Sequence, residues 1–188
     1  MRRTMTLLLV AVLLLAAGPM AASQPGHLDS EGPDADEYAI YSLLLNELHP
    51  ADSYVVINDH TTVKPFTRTK PKFEFAGGLP REIRTDFLTK NENRYPLEDR
   101  FDLKVKTIFL SQAEIDKLAL PEWVEFLKKY PRHGVIELSR AGFNARRDRA
   151  LVYTSSQGGP KSGAGFYVLL SKRNGNWKID QKIFAWLS

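Results

Sequence analysis

The sequence predicts an α+β fold: an antiparallel sheet of about five or six strands, largely C-terminal, with helices packed on one face. Three observations predict it. The last third of the 188-residue chain gathers β-branched and aromatic residues into runs divided by turn-rich segments. Asn174-Gly175 stands between two such runs, and both residues tolerate the positive φ that a tight hairpin turn needs. Apolar spacing of three and four residues is confined to stretches ahead of Pro131.

Residues 1–23 read as a cleavable secretory signal: Arg2 and Arg3, an apolar run from Leu7 to Ala17, then Gly18 and Pro19 ahead of small residues. That run is roughly 11 residues, against about 20 for a membrane span. Ala21 and Ser23 place the expected cut before Gln24, and the mature protein is expected to be secreted or periplasmic in a bacterium. Residues 24–33 are polar with glycine and proline and read as a disordered tether, so one domain is expected over 34–188.

Within that domain Asp34 and Glu37 have capping-box spacing, and Tyr38, Tyr41, Leu44, Leu45 and Leu48 form the buried stripe of a helix that His49 and Pro50 end. Ser53–Asn58 is a short buried strand. The stretch from Thr61 to Pro80 is expected to be mostly irregular, with Lys72–Phe75 extended, before Pro80 opens a helix carrying Ile83 and Phe87. Leu103–Leu110 alternates as a strand. Ser111 with Glu114, then Pro121 followed by Trp123, Phe126, Leu127 and Tyr130, give two short helices.

The remainder reads as a β meander over Val135–Ser139, Ala150–Ser155, Gly165–Lys172 and Trp177–Trp186. Trp177, Ile179, Gln181 and Ile183 should face one way, Phe184 and Trp186 the other.

Composition excludes several classes. The chain has no cysteine, which removes disulfides, thiolate zinc sites and cysteine nucleophiles. The formal charge of +4 falls to +2 without the leader, so nucleic acid is not an expected partner. His27, His49, His60 and His133 are too scattered for a metal site, and no cofactor motif is present. The stretch Gly158–Gly165 looks like a phosphate cradle, but it leads into a strand rather than a helix and reads as a flexible inter-strand loop.

Asp59, His60 and Thr61 follow the first strand directly and His133 precedes another, a set suited to acid and base work. Asp59 and His60 are neighbours, however, and in an extended chain they point apart, so a polar turn is the plainer reading. Arg140, Arg146, Arg147 and Arg149, with Asp148 among them, read as a solvated turn rather than an anion patch. Phe143, Tyr153, Phe166, Tyr167, Trp177, Phe184 and Trp186 could line a cavity on the sheet but are expected to fill a core.

The segments Gly134-Val135-Ile136-Glu137-Leu138-Ser139, Gly142-Phe143-Asn144, Ala150-Leu151-Val152-Tyr153, Gly165–Leu170 and Gly175-Asn176-Trp177-Lys178-Ile179 resemble a group of uncharacterised exported bacterial proteins. The resemblance implies a shared fold and no activity. That group's pattern carries a cysteine pair where this chain has Gln157–Gly163, so whatever those cysteines do is absent here. A second, fold-level resemblance is to NTF2-like proteins, whose curved sheet ends in a tryptophan-bearing strand.

Two functions are therefore expected: a non-enzymatic envelope module binding a small ligand or protein partner through loops at one end of the sheet, or a periplasmic hydrolase. The hydrolase would use Asp59, His60 or His133 with Ser155 or Tyr153.

Overall fold

The computed structural model describes residues 32–49, 53–63, 73–131 and 134–188. The first helix, α1 (Ala35–Leu48), begins where its cap predicts. The Glu37 N–H donates to Asp34 Oδ1 at 3.1 Å and the Asp34 N–H to Glu37 Oε2 at 3.0 Å, satisfying two donors that a helix start leaves orphaned. Then follow β1 (Tyr54–Asn58), α2 (Arg81–Lys90), β2 (Lys106–Leu110), α3 (Gln112–Asp116), α4 (Leu120–Lys129) and five strands: β3 (Val135–Leu138), β4 (Gly142–Phe143), β5 (Arg149–Gly159), β6 (Ser162–Arg173) and β7 (Asn176–Leu187).

The fold is α+β with a sheet, as expected, but the sheet has seven strands and is mixed. Its order is β2-β1-β3-β5-β6-β7, with β4 paired to β5 outside that path. β1 lies parallel to both β2 and β3, while β3, β5, β6 and β7 are antiparallel. The reason is in the connections. The chain leaves β1 through α2 and leaves β2 through α3 and α4, and a connection long enough to hold a helix returns it to the end from which it started. Leu103 and Val105 precede β2 rather than belonging to it, although both pack against the α1 side of the core.

Helices cover both faces of the sheet, which corrects the expectation of one. On one face α1 lays Tyr41, Leu44 and Leu45 over Val55, Ile57, Ile136, Leu138, Val152 and Val168. On the other, α3 and α4 pack Ile115, Trp123 and Phe126 against Val56, Val135 and Leu110, and α2 packs Ile83 and Phe87 against Leu151, Tyr153 and Leu169. β1 and β5 are apolar on both sides, so one layer of helices would leave half of their side chains in water. Gly142 lets β4 reach α2: a Cβ there would collide with the backbone of Phe87.

The C-terminal meander is longer and tighter than predicted. β5 and β6 pair as far as Gly159 and Ser162, with one irregularity that skips Gly158, so the expected loop over Gly158–Gly165 is strand and turn. At the β6–β7 turn Asn174 has φ 52° and Gly175 φ 80°, the two positive values a type I′ turn needs.

Two irregularities in the β6–β7 pairing, at Asp180 and Ala185, each insert one residue and so swap the faces that follow. Trp177 and Ile179 therefore join the α1 side and Ile183 and Trp186 the α2 side, where strict alternation had put Trp177, Ile179 and Ile183 together. The aromatics are mainly core, as expected; Phe184 is exposed.

Arg140 corrects the reading of the arginine turn, since it is buried against Glu37. Arg147 pairs with Asp34 and Asp36, and Arg146 with Asp148. No helix among the described residues is long and apolar enough to cross a membrane. The predicted leader, nearly all of the predicted tether and Lys72 lie outside the described residues; Phe73–Phe75 forms no strand, though Phe75 is buried.

Candidate functional site

The carboxyl ends of β1 and β2 carry a cluster of convergent polar side chains: Asn58, His60, Arg94 and Gln112. In sheets with parallel strands this end is where loops diverge and ligands settle. β1 closes on Asn58, a fully buried polar residue at the end of an otherwise apolar strand. The chain then runs through Asp59, His60 and Thr61, and the segment after α2 is strapped alongside. The Leu97 N–H donates to the Asp59 carbonyl, the Thr61 N–H to the Tyr95 carbonyl, and the Tyr95 N–H to Thr61 Oγ1. Those bonds bring Arg94 to the end of β1.

Asn58 is the hub of the cluster. Its Oδ1 accepts the His60 N–H at 3.1 Å, and its Nδ2 donates to Gln112 Oε1 at 2.9 Å. Arg94 Nη1 donates to the same Gln112 oxygen. Gln112 opens α3 directly beyond β2, and its Nε2 donates to Asp116 Oδ1, which fixes the amide with its oxygen toward Asn58 and Arg94. Asp59 Oδ1 lies 2.7 Å from His60 Nδ1, with both side chains partly exposed. The sequence places these two neighbours apart; the turn after β1 folds them together instead.

A row of residues continues from Asn58 across the sheet. Val56 and Ile57 pair with Val135 and Ile136, so the next step of the register sets Asn58 beside Glu137. Glu137 pairs with Ser155, Ser155 with Gly165, and Gly165 with Trp186. Ser155 Oγ donates to Glu137 Oε2 at 3.2 Å, and Trp186 Nε1 donates to the Tyr153 hydroxyl at 2.8 Å. Burial pushes the Tyr153 phenol pKa up, with the Glu137 charge adding to it and hydrogen bonds from Ser155 and Trp186 opposing.

Trp186 lies against Gly163 and Gly165, neither of which could carry a Cβ without striking the indole.

Of the residues singled out by sequence, Asp59 and His60 are brought together, and neither hydrogen-bonds to Ser155 or Tyr153. β1 and β5 are two strand spacings apart, about 10 Å, too far for His60 to take a proton directly from Ser155. His27 and His133 lie outside the described residues, and His49 caps the C-terminus of α1. Sequence reasoning missed Asn58, Arg94, Gln112 and Glu137. Asn58 had a visible signal, an amide closing an apolar strand; the others depend on strand order and register.

A concavity of about 1050 Å³ opens elsewhere, between α2 and the β4–β5 turn. Three of its charged lining residues, Asp86, Lys90 and Arg147, are taken up by structural contacts. Asp86 accepts the Phe143 N–H at 2.6 Å and pairs with buried Lys90 at 2.9 Å, and Arg147 is held by Asp34 and Asp36 while its guanidinium lies 4.0 Å from the Phe143 ring centroid. These contacts fasten α2 and α1 to the turn. Among the described residues no group of three His, Asp or Glu side chains could hold a metal ion. Comparison of the chain with family models, with curated proteins and with solved structures finds no match.

Proposed function

We propose that this protein is an exported, non-enzymatic binding module of the cell envelope whose ligand is taken at the carboxyl ends of β1 and β2. The observation that carries the reading is Asn58: a fully buried amide that spends both its donor and its acceptor on positioning the His60 backbone and Gln112. A core-facing strand end with only a packing role would be apolar there. The leader-like N-terminus and the resemblance of the C-terminal segments to exported proteins support export. Native mass spectrometry of the protein purified gently from its source tests the reading. A reproducible mass excess that Asn58→Leu abolishes, with unchanged circular dichroism, is expected; a bare mass from every preparation counts against it.

A second reading, hydrolysis, is favoured by the Asp59–His60 contact alone. A carboxylate at Nδ1 orients the imidazole and leaves Nε2 as the basic nitrogen, the arrangement a general base needs. Water would be the nucleophile, since Ser155 is held by Glu137. Turnover of an activated ester that His60→Ala abolishes, and Asp59→Asn reduces, would move the protein to this class.

A further inference from the structure

We infer that the ligand taken at the end of β1 carries an oxyanion, a carboxylate or a phosphate group, and that Arg94 is the residue that holds it. The inference rests on the ligand-binding reading above and specifies its chemistry. Arg94 is half-buried, and its bond to the neutral Gln112 oxygen leaves its charge uncompensated. Among the described residues no carboxylate lies within ion-pair distance of it. The two carboxylates bonded into the cluster are used elsewhere, Asp59 by His60 and Asp116 by Gln112.

Its setting contrasts with that of the arginines held in ion pairs. Arg140 has Glu37, Arg147 has Asp34 and Asp36, and Arg173 has Asp180.

The cluster also fixes where the guanidinium sits. Asp116 orients Gln112, Gln112 accepts from both Asn58 and Arg94, and Asn58 is locked by the His60 N–H. A planar fork with five donors, held by one neutral acceptor, has N–H groups left to offer, and carboxylate and phosphate oxygens match its geometry. His60 is anchored to the same Asn58 and stands at the partly exposed edge of the cluster.

The test is a titration of the purified protein, followed through its arginine side-chain Nε–H resonances, with sodium phosphate and sodium acetate as probes and choline chloride as the ionic-strength control. Saturable movement of one resonance, assigned by its loss in Arg94→Gln, is expected for at least one probe. The probe that saturates at the lower concentration separates a phosphate site from a carboxylate site. Arg94→Lys should weaken binding on the order of tenfold, because the charge remains and the fork is lost.

Gln112→Glu combined with Asp116→Asn gives a second variant that keeps both an acceptor for Asn58 and a bond to residue 116 while neutralising Arg94, and it should abolish the response even if Arg94→Gln folds poorly.

Absence of saturable movement, or movement that survives both variants, overturns the proposal. If the protein carries a co-purifying mass that both variants retain, binding stands and the oxyanion does not. If neither mass nor titration response is found, both readings fall together.

Discussion

Glu37 and Arg140, 103 positions apart, form a buried two-point ion pair: Arg140 Nε and Nη2 lie 2.8 Å from Glu37 Oε1 and Oε2 respectively. The Ala141 N–H donates to the same carboxylate at 2.8 Å, and the Arg140 guanidinium covers the Tyr95 ring. Glu37 is also the third residue of α1 and returns a bond to Asp34, so one side chain both caps the helix and seats it on the β3–β4 junction. Burial would lower the Arg140 pKa, but the hydrogen bonds and charge of Glu37 outweigh it and raise it.

Removing one partner strands the other in the core. Arg140→Met and Glu37→Leu should each cost about 3–5 kcal/mol, while the two together should cost less than the sum of the single losses. Urea unfolding of the four proteins checks this. Additive losses would mean that the pair is not an energetic unit.

Asp36 gives the fold a pH-dependent fastening. Burial works to raise its pKa, but hydrogen bonds from Lys172 at 2.6 Å and Trp177 at 3.3 Å, with the charges of Lys172 and Arg147, bring it below the ordinary value. A carboxyl depressed on folding stabilises the native state above its unfolded pKa of about 3.9 and loses that contribution as pH falls through the folded value. Asp36→Asn should therefore be less stable than the parent at pH 7, with the gap closing as pH is lowered below about 4. Thermal melts at pH 7 and pH 3 read both ends.

Gly165→Ala should dislodge Trp186. The added methyl meets the indole nitrogen and stands 2.8 Å from the Tyr153 hydroxyl, so the Trp186–Tyr153 hydrogen bond and the contact over β6 cannot both survive. A loss of about 2 kcal/mol or more is expected, from overpacking and a broken bond together. Fluorescence of a variant in which Trp123 and Trp177 are replaced by Phe should show Trp186 moving to a wetter environment. An unchanged spectrum would refute the packing described.

Gly175→Ala should cost about 1 kcal/mol, because φ at that position is 80° and an L side chain is strained there. Gly158→Ala, where φ is not in the positive range and a Cβ would meet only ordinary contacts, should be close to neutral. Chemical denaturation of the pair separates a conformational requirement from a general dislike of substitution in hairpins.

Much of this molecule was legible in its sequence, and the legible parts share a cause. The Asp34–Glu37 and Ser111–Glu114 boxes, the Asn174-Gly175 turn and the stripe on α1 are decided by residues within a few positions of one another. What stayed hidden depends on pairing. Parallel alignment of β1 with β2 follows from the path of the connection, and the facing of Ile183 follows from an inserted Asp180 that no alternation rule reveals. The candidate site is hidden for the same reason: Arg94, Gln112 and Asn58 meet because a strap, a helix start and a strand end coincide in space. The Asp59–His60 contact is hidden because an extended chain points neighbours apart and here the chain turns.

The mixed sheet also dictates an order of assembly. β5, β6 and β7 pair through near neighbours in the chain, so they can form as soon as they meet. β1 can pair with β2 first, but it reaches the antiparallel strands only through β3, some 80 positions later at Val56↔Val135, and the ion pair that seats α1 needs Arg140. A chain still growing at its C-terminus therefore holds α1, β1 and β2 without the antiparallel strands they pack with. Until those strands are made, the apolar faces of the N-terminal half lack their partners, and they are the surfaces a holding chaperone would meet.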